Sequence, residues 1–149
     1  MFRGRFTHTI DTKGRMSIPS AYRTELESRS DQAPIVTTAY ECLHLYPYED
    51  WCEKEANIVE STTEDLEAQS FQRLMISGAT ECPIDKQGRM LVPQFLRDHA
   101  GIDREVTIAG VGNRIEIWAK SRFDSDLLKT QANYPDIAKK MSDLNRKEF

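Results

Sequence analysis

Residues 10–23 read IDTKGRMSIPSAYR, and residues 84–97 read IDKQGRMLVPQFLR. The second copy follows the first at a constant offset, Ile10 to Ile84 and Arg23 to Arg97, without a gap. Ile, Asp, Gly, Arg, Met, Pro and the final Arg coincide, and Ile18 is matched by Val92. Self-similarity of this kind marks a repeat architecture and governs every later assignment. Outward from the motif the likeness continues with small gaps. Ile35–Val36, Leu43-His44-Leu45-Tyr46 and Trp51 follow the first copy; Val106-Thr107-Ile108, Ile115-Glu116-Ile117-Trp118 and Phe123 follow the second. Each half thus reads strand, turn, strand, short helix, strand, strand, helix. Residues 61–78 join the halves, polar at Ser61-Thr62-Thr63-Glu64 and then helical, with Phe71, Leu74 and Met75 on one face. The expected segments are a first repeat at 1–60, a helical connector at 61–75, a second repeat at 76–132 and a C-terminal helix or tail at 133–149.

Inside the repeat, Phe6, His8 and Ile10 alternate with Thr7 and Thr9, the pattern of a half-buried strand. Met16 and Ile18 alternate with Arg15 and Ser17 beyond a tight turn. Gly14 supplies the residue that tolerates positive φ, and the Asp11 side chain can brace the turn by accepting from downstream amides. Asp85 and Gly88 repeat that arrangement. Pro19 and Pro93 cannot donate to a strand ladder but suit a helix start, so short helices are expected at 20–28 and 94–100, the second stopped by Gly101. Pro47 opens a further helix from Tyr48 to about Ile58, with Trp51 facing inward and acids outside. A weakly amphipathic helix is expected near 136–146 through Ile137, Met141 and Leu144.

One half alone has short strands and few apolar residues, too few to bury a core. Two halves pairing about a pseudo-two-fold axis can share one. The expected fold is therefore mainly β with short helices (α+β), its hairpins interdigitated.

The chain has 149 residues, with 39% hydrophobic and 30% charged. This composition suits a folded protein rather than a disordered one. No apolar run approaches a membrane span, and the first residues carry no secretory h-region. Three cysteines, Cys42, Cys52 and Cys82, do not make a disulfide framework and point to a reducing cytoplasm. The net charge of −4 is unevenly spread. Residues 1–24 carry Arg3, Arg5, Lys13, Arg15 and Arg23 against Asp11 alone, whereas residues 41–67 carry nine acids against Lys54. The local patch, not the total, decides what a surface attracts.

Arg3, Arg5, Lys13, Arg15, Lys86 and Arg89 are the candidate DNA contacts, since such cations neutralise phosphates and release counterions. Asp11 and Gly14, with Asp85 and Gly88, are the structural turn and ion-pair residues. Lys13 lies at a loop tip where no structural need calls for a cation. Arg15 has both roles, paired with Asp11 and presented to DNA; for Arg89 the structural role weighs more. Arg23 and Arg97 are read as structural, their stems packed. Cys42 and His44 would share a strand face, but no C-x-x-C or H-x-x-x-H spacing accompanies them, so neither a metal nor another cofactor is expected. No P-loop, nucleophile elbow or zinc-protease motif is present, and no enzymatic activity is expected.

The opening MFRGRF and the doubled Asp-x-x-Gly-Arg-Met-x-(Ile/Val)-Pro motif resemble the MraZ family of bacterial regulators, over essentially the whole chain. The resemblance implies a tandem swapped-hairpin β-barrel of the AbrB/SpoVT type. It also implies ring-shaped homo-oligomers and DNA binding near the promoter of the division and cell-wall gene cluster. The second repeat departs from the first with Lys86-Gln87 in place of Thr12-Lys13, and it follows Cys82-Pro83 rather than an extended Thr-rich strand. The functional expectation is a cytoplasmic, nucleoid-associated regulator that binds double-stranded DNA carrying short direct repeats and represses that cluster, its own gene included. A ring-forming scaffold that binds protein through its acidic helices, without specific DNA binding, is the alternative. The basic loop 12–15 separates the two, because a scaffold has no need of it.

Overall fold

A computed structural model describes residues 1–61 and 64–146; Thr62 and Thr63 of the polar connector and the last three residues of the tail lie outside the described residues. The chain falls into two units, Met1–Ala119 and Lys120–Phe149.

The first unit begins with β1 (Arg5–Thr9), β2 (Arg15–Ser17) and α1 (Ser20–Arg29), followed by β3 (Ile35–Thr38), β4 (Leu43–Tyr46) and α2 (Tyr48–Glu60). After α3 (Leu66–Gly78) the order recurs: β5 (Thr80–Glu81), β6 (Arg89–Leu91), α4 (Gln94–Ala100), β7 (Glu105–Gly110) and β8 (Ile115–Ala119). Pro19, Pro47 and Pro93 sit immediately before α1, α2 and α4, and Gly101 ends α4 at φ +65°. That is the left-handed stop a glycine accepts without a Cβ clash.

The fold is mixed α+β. Six strands form an antiparallel sheet in the order β1-β7-β8-β4-β3-β5, and β2 pairs with β6 in a separate two-stranded ribbon. Exchange the repeats, β1 for β5, β3 for β7 and β4 for β8, and the sheet order reads the same backwards. The register obeys the exchange too: Leu43 faces Ile117, Leu45 faces Ile115, and the equivalent residues His44 and Glu116 face each other. In the ribbon the equivalent residues Met16 and Met90 are likewise partners. Except for β3–β4 and β7–β8, every strand pairing joins one repeat to the other.

The shared core follows from this interlocking. Ile10, Met16, Ile18, Tyr22 and Leu26 from the first repeat lie in one buried cluster with Met90, Val92, Leu96, Ala100 and Ile102 from the second. Each of the larger apolar side chains among them, such as Ile10, Met16 or Leu96, stabilises the fold by about 1.5–3 kcal/mol on full burial. A second, smaller cluster of Ile35, Tyr46, Trp51 and Met75 seats α2 and α3 on the sheet.

Three sequence expectations are corrected. A closed barrel is not seen: among the described residues the large sheet is open, with β1 and β5 as its edges. Second, β1 does not turn every other side chain inward. It is an edge strand, so Phe6 stays 37% exposed and packs its ring edge-on against Tyr22 at 5.3 Å, while Phe2 and Ile10, outside the strand, are buried. Third, the chain is not mainly β with short helices: it is mixed α+β, and α2 and α3, each of 13 residues, cover the sheet through Trp51 and Met75, while Phe71 and Leu74 of α3 stay exposed.

The second unit contains α5 (Lys120–Ala132) and α6 (Tyr134–Asn145). Ile137, Met141 and Leu144 are exposed along α6. Among the described residues no helix is long and apolar enough to cross a membrane.

Candidate nucleic-acid interface

The interface is built from two turns and the ribbon between them. In the first turn the Asp11 amide donates to the Arg15 carbonyl (2.9 Å) and the Gly14 amide to the Asp11 carbonyl (3.0 Å). Asp11 Oδ1 accepts from the amides of Lys13 and Arg15, both at 2.9 Å. Its Oδ2 accepts from Arg15 Nε at 2.8 Å. One carboxylate thus closes the loop and holds the guanidinium. The Arg15 amide and the other donors around it keep the Asp11 carboxyl below the usual carboxylate range, so it stays charged.

The second turn copies the backbone of the first. Asp85 N reaches Arg89 O at 2.8 Å and Gly88 N reaches Asp85 O at 2.9 Å; Asp85 Oδ1 accepts from Gln87 and Arg89 at 2.8 and 3.0 Å. The Arg89 amide is again the main cause of a lowered Asp85 carboxyl. The side chains differ. Arg89 Nε stands 3.4 Å from Asp85 Oδ2, an ion pair without a hydrogen bond, and this buried Nε has no hydrogen-bond partner among the described residues.

Gly14 and Gly88 adopt φ +89° and +80°, where a Cβ is strained. Each turn also leans on the opposite repeat. Val92 N donates to Gly14 O at 2.8 Å, and Ile18 N donates to Gly88 O at 2.9 Å. A Cβ on Gly14 would stand 2.8 Å from Arg97 Nε, and one on Gly88 would stand 2.7 Å from an Arg23 guanidinium nitrogen. Arg97 and Arg23 are themselves fixed by Nε bonds to the Val92 and Ile18 carbonyls, at 3.0 and 3.1 Å. Both arginines are half-buried and engaged inside the fold, as a structural role requires. What the sequence alone did not reveal is that each guanidinium covers the other repeat's turn. Their recurrence at one place in both copies was the available signal.

The ribbon decides which cations meet. Side chains alternate along a strand, so buried Met16 and Met90 send Arg15, Ser17, Arg89 and Leu91 to the opposite, outer face. Register sets Arg15 opposite Leu91 and Ser17 opposite Arg89. Both arginines therefore share one outward face, diagonal to each other, about 7–8 Å between backbones. The exposed Lys13 and Lys86 stand at the turns on the two ends of this ribbon. Arg3 and Arg5 are not brought there. Arg5 opens β1 at the end away from the turn, paired with Ala109, and Arg3 precedes it, its carbonyl accepting from the Tyr22 hydroxyl at 3.0 Å. The acids of α2 are partly engaged elsewhere: Asp50 with Arg29 at 2.9 Å and Glu49 with the Ser30 hydroxyl at 3.0 Å. The arrangement offers a half-buried pair of forked donors between two exposed lysines, which can hold phosphates or base edges.

Comparison with known proteins gives a consistent result. The family described as "MraZ protein, putative antitoxin-like" matches twice, over residues 1–74 and 75–145. The chain is 40% identical to a protein of Moorella thermoacetica, over 97% of this chain and 99% of that one. It is 39% identical to one of Desulforamulus reducens, over 97% and 99%. A protein of Carboxydothermus hydrogenoformans is 42% identical, over 96% and 98%. All three relatives bear the name "Transcriptional regulator MraZ".

Proposed function

The chain belongs to the MraZ family, and from that premise we propose that it is a sequence-specific DNA-binding transcription regulator rather than an enzyme. The single observation that carries this reading is the outer face of the β2–β6 ribbon, where Arg15 and Arg89 are displayed together between braced turns. Lys13 and Lys86 extend the face toward phosphates, and Arg3 and Arg5 act as outlying backbone contacts. Arginine can read guanine by a bidentate major-groove contact. The crossed pairing of the repeats supports a swapped-hairpin arrangement of the AbrB/SpoVT kind about a pseudo-two-fold axis. The repeats span 1–60 and 76–132, with 61–75 as connector and 133–149 as tail.

One ribbon makes few contacts, so a lone chain binds weakly. A homo-oligomeric ring repeats the ribbon at fixed spacing and makes each later contact effectively intramolecular. The exposed edge strand β1 and exposed Phe71 and Leu74 favour such self-association. The matching DNA carries short direct repeats about one helical turn apart, roughly 10 base pairs. By resemblance the target is the promoter of a division and cell-wall gene cluster, repressed together with the protein's own gene; the setting is the cytoplasmic nucleoid.

The test is fluorescence anisotropy with DNA from upstream of its own gene, bearing one repeat or several. The expected outcome is tighter binding to several repeats, a log–log salt slope of about −0.9 per phosphate neutralised, and a clear loss in Arg15→Ala at unchanged oligomer mass. Equal affinity for one and several repeats refutes the multivalent mechanism, and unaltered binding by Arg15→Ala removes that residue from the site.

A further inference from the structure

On the sheet face away from the main core, the β4–β8 crossing gathers a second set of functional groups. Leu43, Leu45, Ile115 and Ile117 enter the core, so strand alternation turns Cys42, His44, Tyr46 and Glu116 to the other side. Ligand atoms of Cys42, His44 and Glu116 all lie within 4.8 Å of one another. Cys42 is buried, while His44 and Glu116 keep 18% and 14% of their side-chain surface, which leaves a way in. We propose that Cys42, His44 and Glu116 form a binding site for a zinc-class divalent cation, tying the first repeat's β4 to the second repeat's β8.

Three features carry this. The donor set is first: thiolate, imidazole and carboxylate together suit zinc and its thiophilic neighbours, not magnesium or calcium. Spacing is second. Zinc bonds of about 2.0–2.3 Å in a tetrahedron put ligand atoms about 3.2–3.7 Å apart. His44 Nε2 and Glu116 Oε2 are already 3.2 Å apart, and the Cys42 sulfur lies within 4.8 Å of the ligand atoms of both.

The third feature is orientation. His44 Nδ1 stands 3.0 Å from the Tyr46 hydroxyl, whose oxygen can accept a hydrogen bond from it. An imidazole donating Nδ1–H to Tyr46 leaves the Nε2 lone pair toward Glu116, the outer-shell arrangement usual for a ligating histidine. Two acceptors 3.2 Å apart repel unless a proton or a metal lies between them. Glu116 is oriented by its other neighbours: Arg114 Nη2 donates to Oε2 at 2.8 Å and Trp118 Nε1 to Oε1 at 3.0 Å.

Three protein ligands leave a fourth position for water or a partner's donor. A cleft of about 280 Å³ that includes Tyr46 and Arg114 in its wall opens beside the cluster. Arg114 Nη2 is 2.8 Å from Glu116 Oε2, and its charge opposes the incoming cation, which argues for a reversible site rather than a permanently loaded one.

Cobalt(II) is the probe, titrated into the full chain kept reduced by a phosphine. Equimolar uptake with thiolate-to-cobalt charge-transfer absorption and intense tetrahedral d–d bands, displaced by zinc, is the expected result. Cys42→Ser should abolish the charge-transfer band, and Cys52→Ser should retain it. His44→Gln, which leaves the buried thiol in place and so tests the site even if Cys42→Ser misfolds, should weaken binding about tenfold or more. No charge-transfer band in the wild type, undiminished affinity in His44→Gln, or loss of the band in Cys52→Ser overturns the proposal.

Discussion

The turns at Asp11–Gly14 and Asp85–Gly88 have one backbone and two different surroundings. Their hydrogen bonds agree to within 0.2 Å, from the Asp amide to the Asx-type bonds on Oδ1. Yet Arg15 is clamped by its aspartate at 2.8 Å, and Arg89 stands off at 3.4 Å. The space above each glycine differs as well. A Cβ on Gly14 would meet the Val92 carbonyl oxygen at 2.7 Å, whereas the three atoms nearest to one on Gly88 all belong to the Arg23 guanidinium. The motif fixes a turn; its neighbours decide how rigidly the arginine is presented and how much change the turn tolerates.

The largest expected effect tests that tolerance. Gly14→Ala forces a side chain into positive φ and against a backbone oxygen that cannot move aside, a cost of about 3–4 kcal/mol. Gly88→Ala carries the same φ penalty, but its nearest contact is a side chain that can shift at the cost of one hydrogen bond, so about 1–2 kcal/mol is expected. Urea unfolding of both variants measures the difference, and equal losses would erase the distinction between the turns.

The next effect lies at the strand crossing, where equivalent positions hold unlike residues, His44 and Glu116. The Glu116 carboxyl sits at about 2 instead of 4.5. A depressed value stabilises the fold above the ordinary carboxylate range, and that stabilisation is lost as pH falls from about 4.5 toward 2. At neutral pH it amounts to on the order of 3 kcal/mol. Glu116→Gln should unfold more easily at pH 7 and show a flatter fall between pH 5 and pH 3, read by urea midpoints at each pH.

On DNA, Arg15→Ala is expected to cost about 1–3 kcal/mol of specific affinity, about tenfold or more. Arg89→Ala should cost less, because its Nε is buried and its guanidinium less firmly aimed. Anisotropy titrations rank the two, and a larger loss in Arg89→Ala would reverse the comparison.

The smallest effect is in the aspartates. Asp11→Asn should lower the thermal midpoint slightly more than Asp85→Asn, since only Asp11 also accepts from its arginine's side chain. Both carboxyls are depressed in the fold, so both differences should fade as acid protonates them in the wild type. Scanning fluorimetry at pH 7 and pH 3 shows whether they do.

Much of this was legible in the residues. Gly14 and Gly88, the aspartates ahead of them and the prolines behind them act through local sterics and short-range bonds, so their order in the chain announces turn, strand and helix. Helix α4 begins and ends where Pro93 and Gly101 dictate. Phe6 was misread for the converse reason. Alternation and helical spacing show which side chains share a face, not whether anything covers that face.

The sequence by itself thus determined that the chain is a doubled unit, where its turns lie, which arginines recur, and the family to which it belongs. Only the tertiary structure decided that β2 finds β6 rather than its own neighbours, that Arg23 and Arg97 each cover the other repeat's glycine, and that His44 meets Glu116. Those contacts join residues some seventy positions apart, and no local preference encodes them. They form because neither half can bury Met16 or Met90, Val36 or Ile108, until the other half supplies the opposing wall.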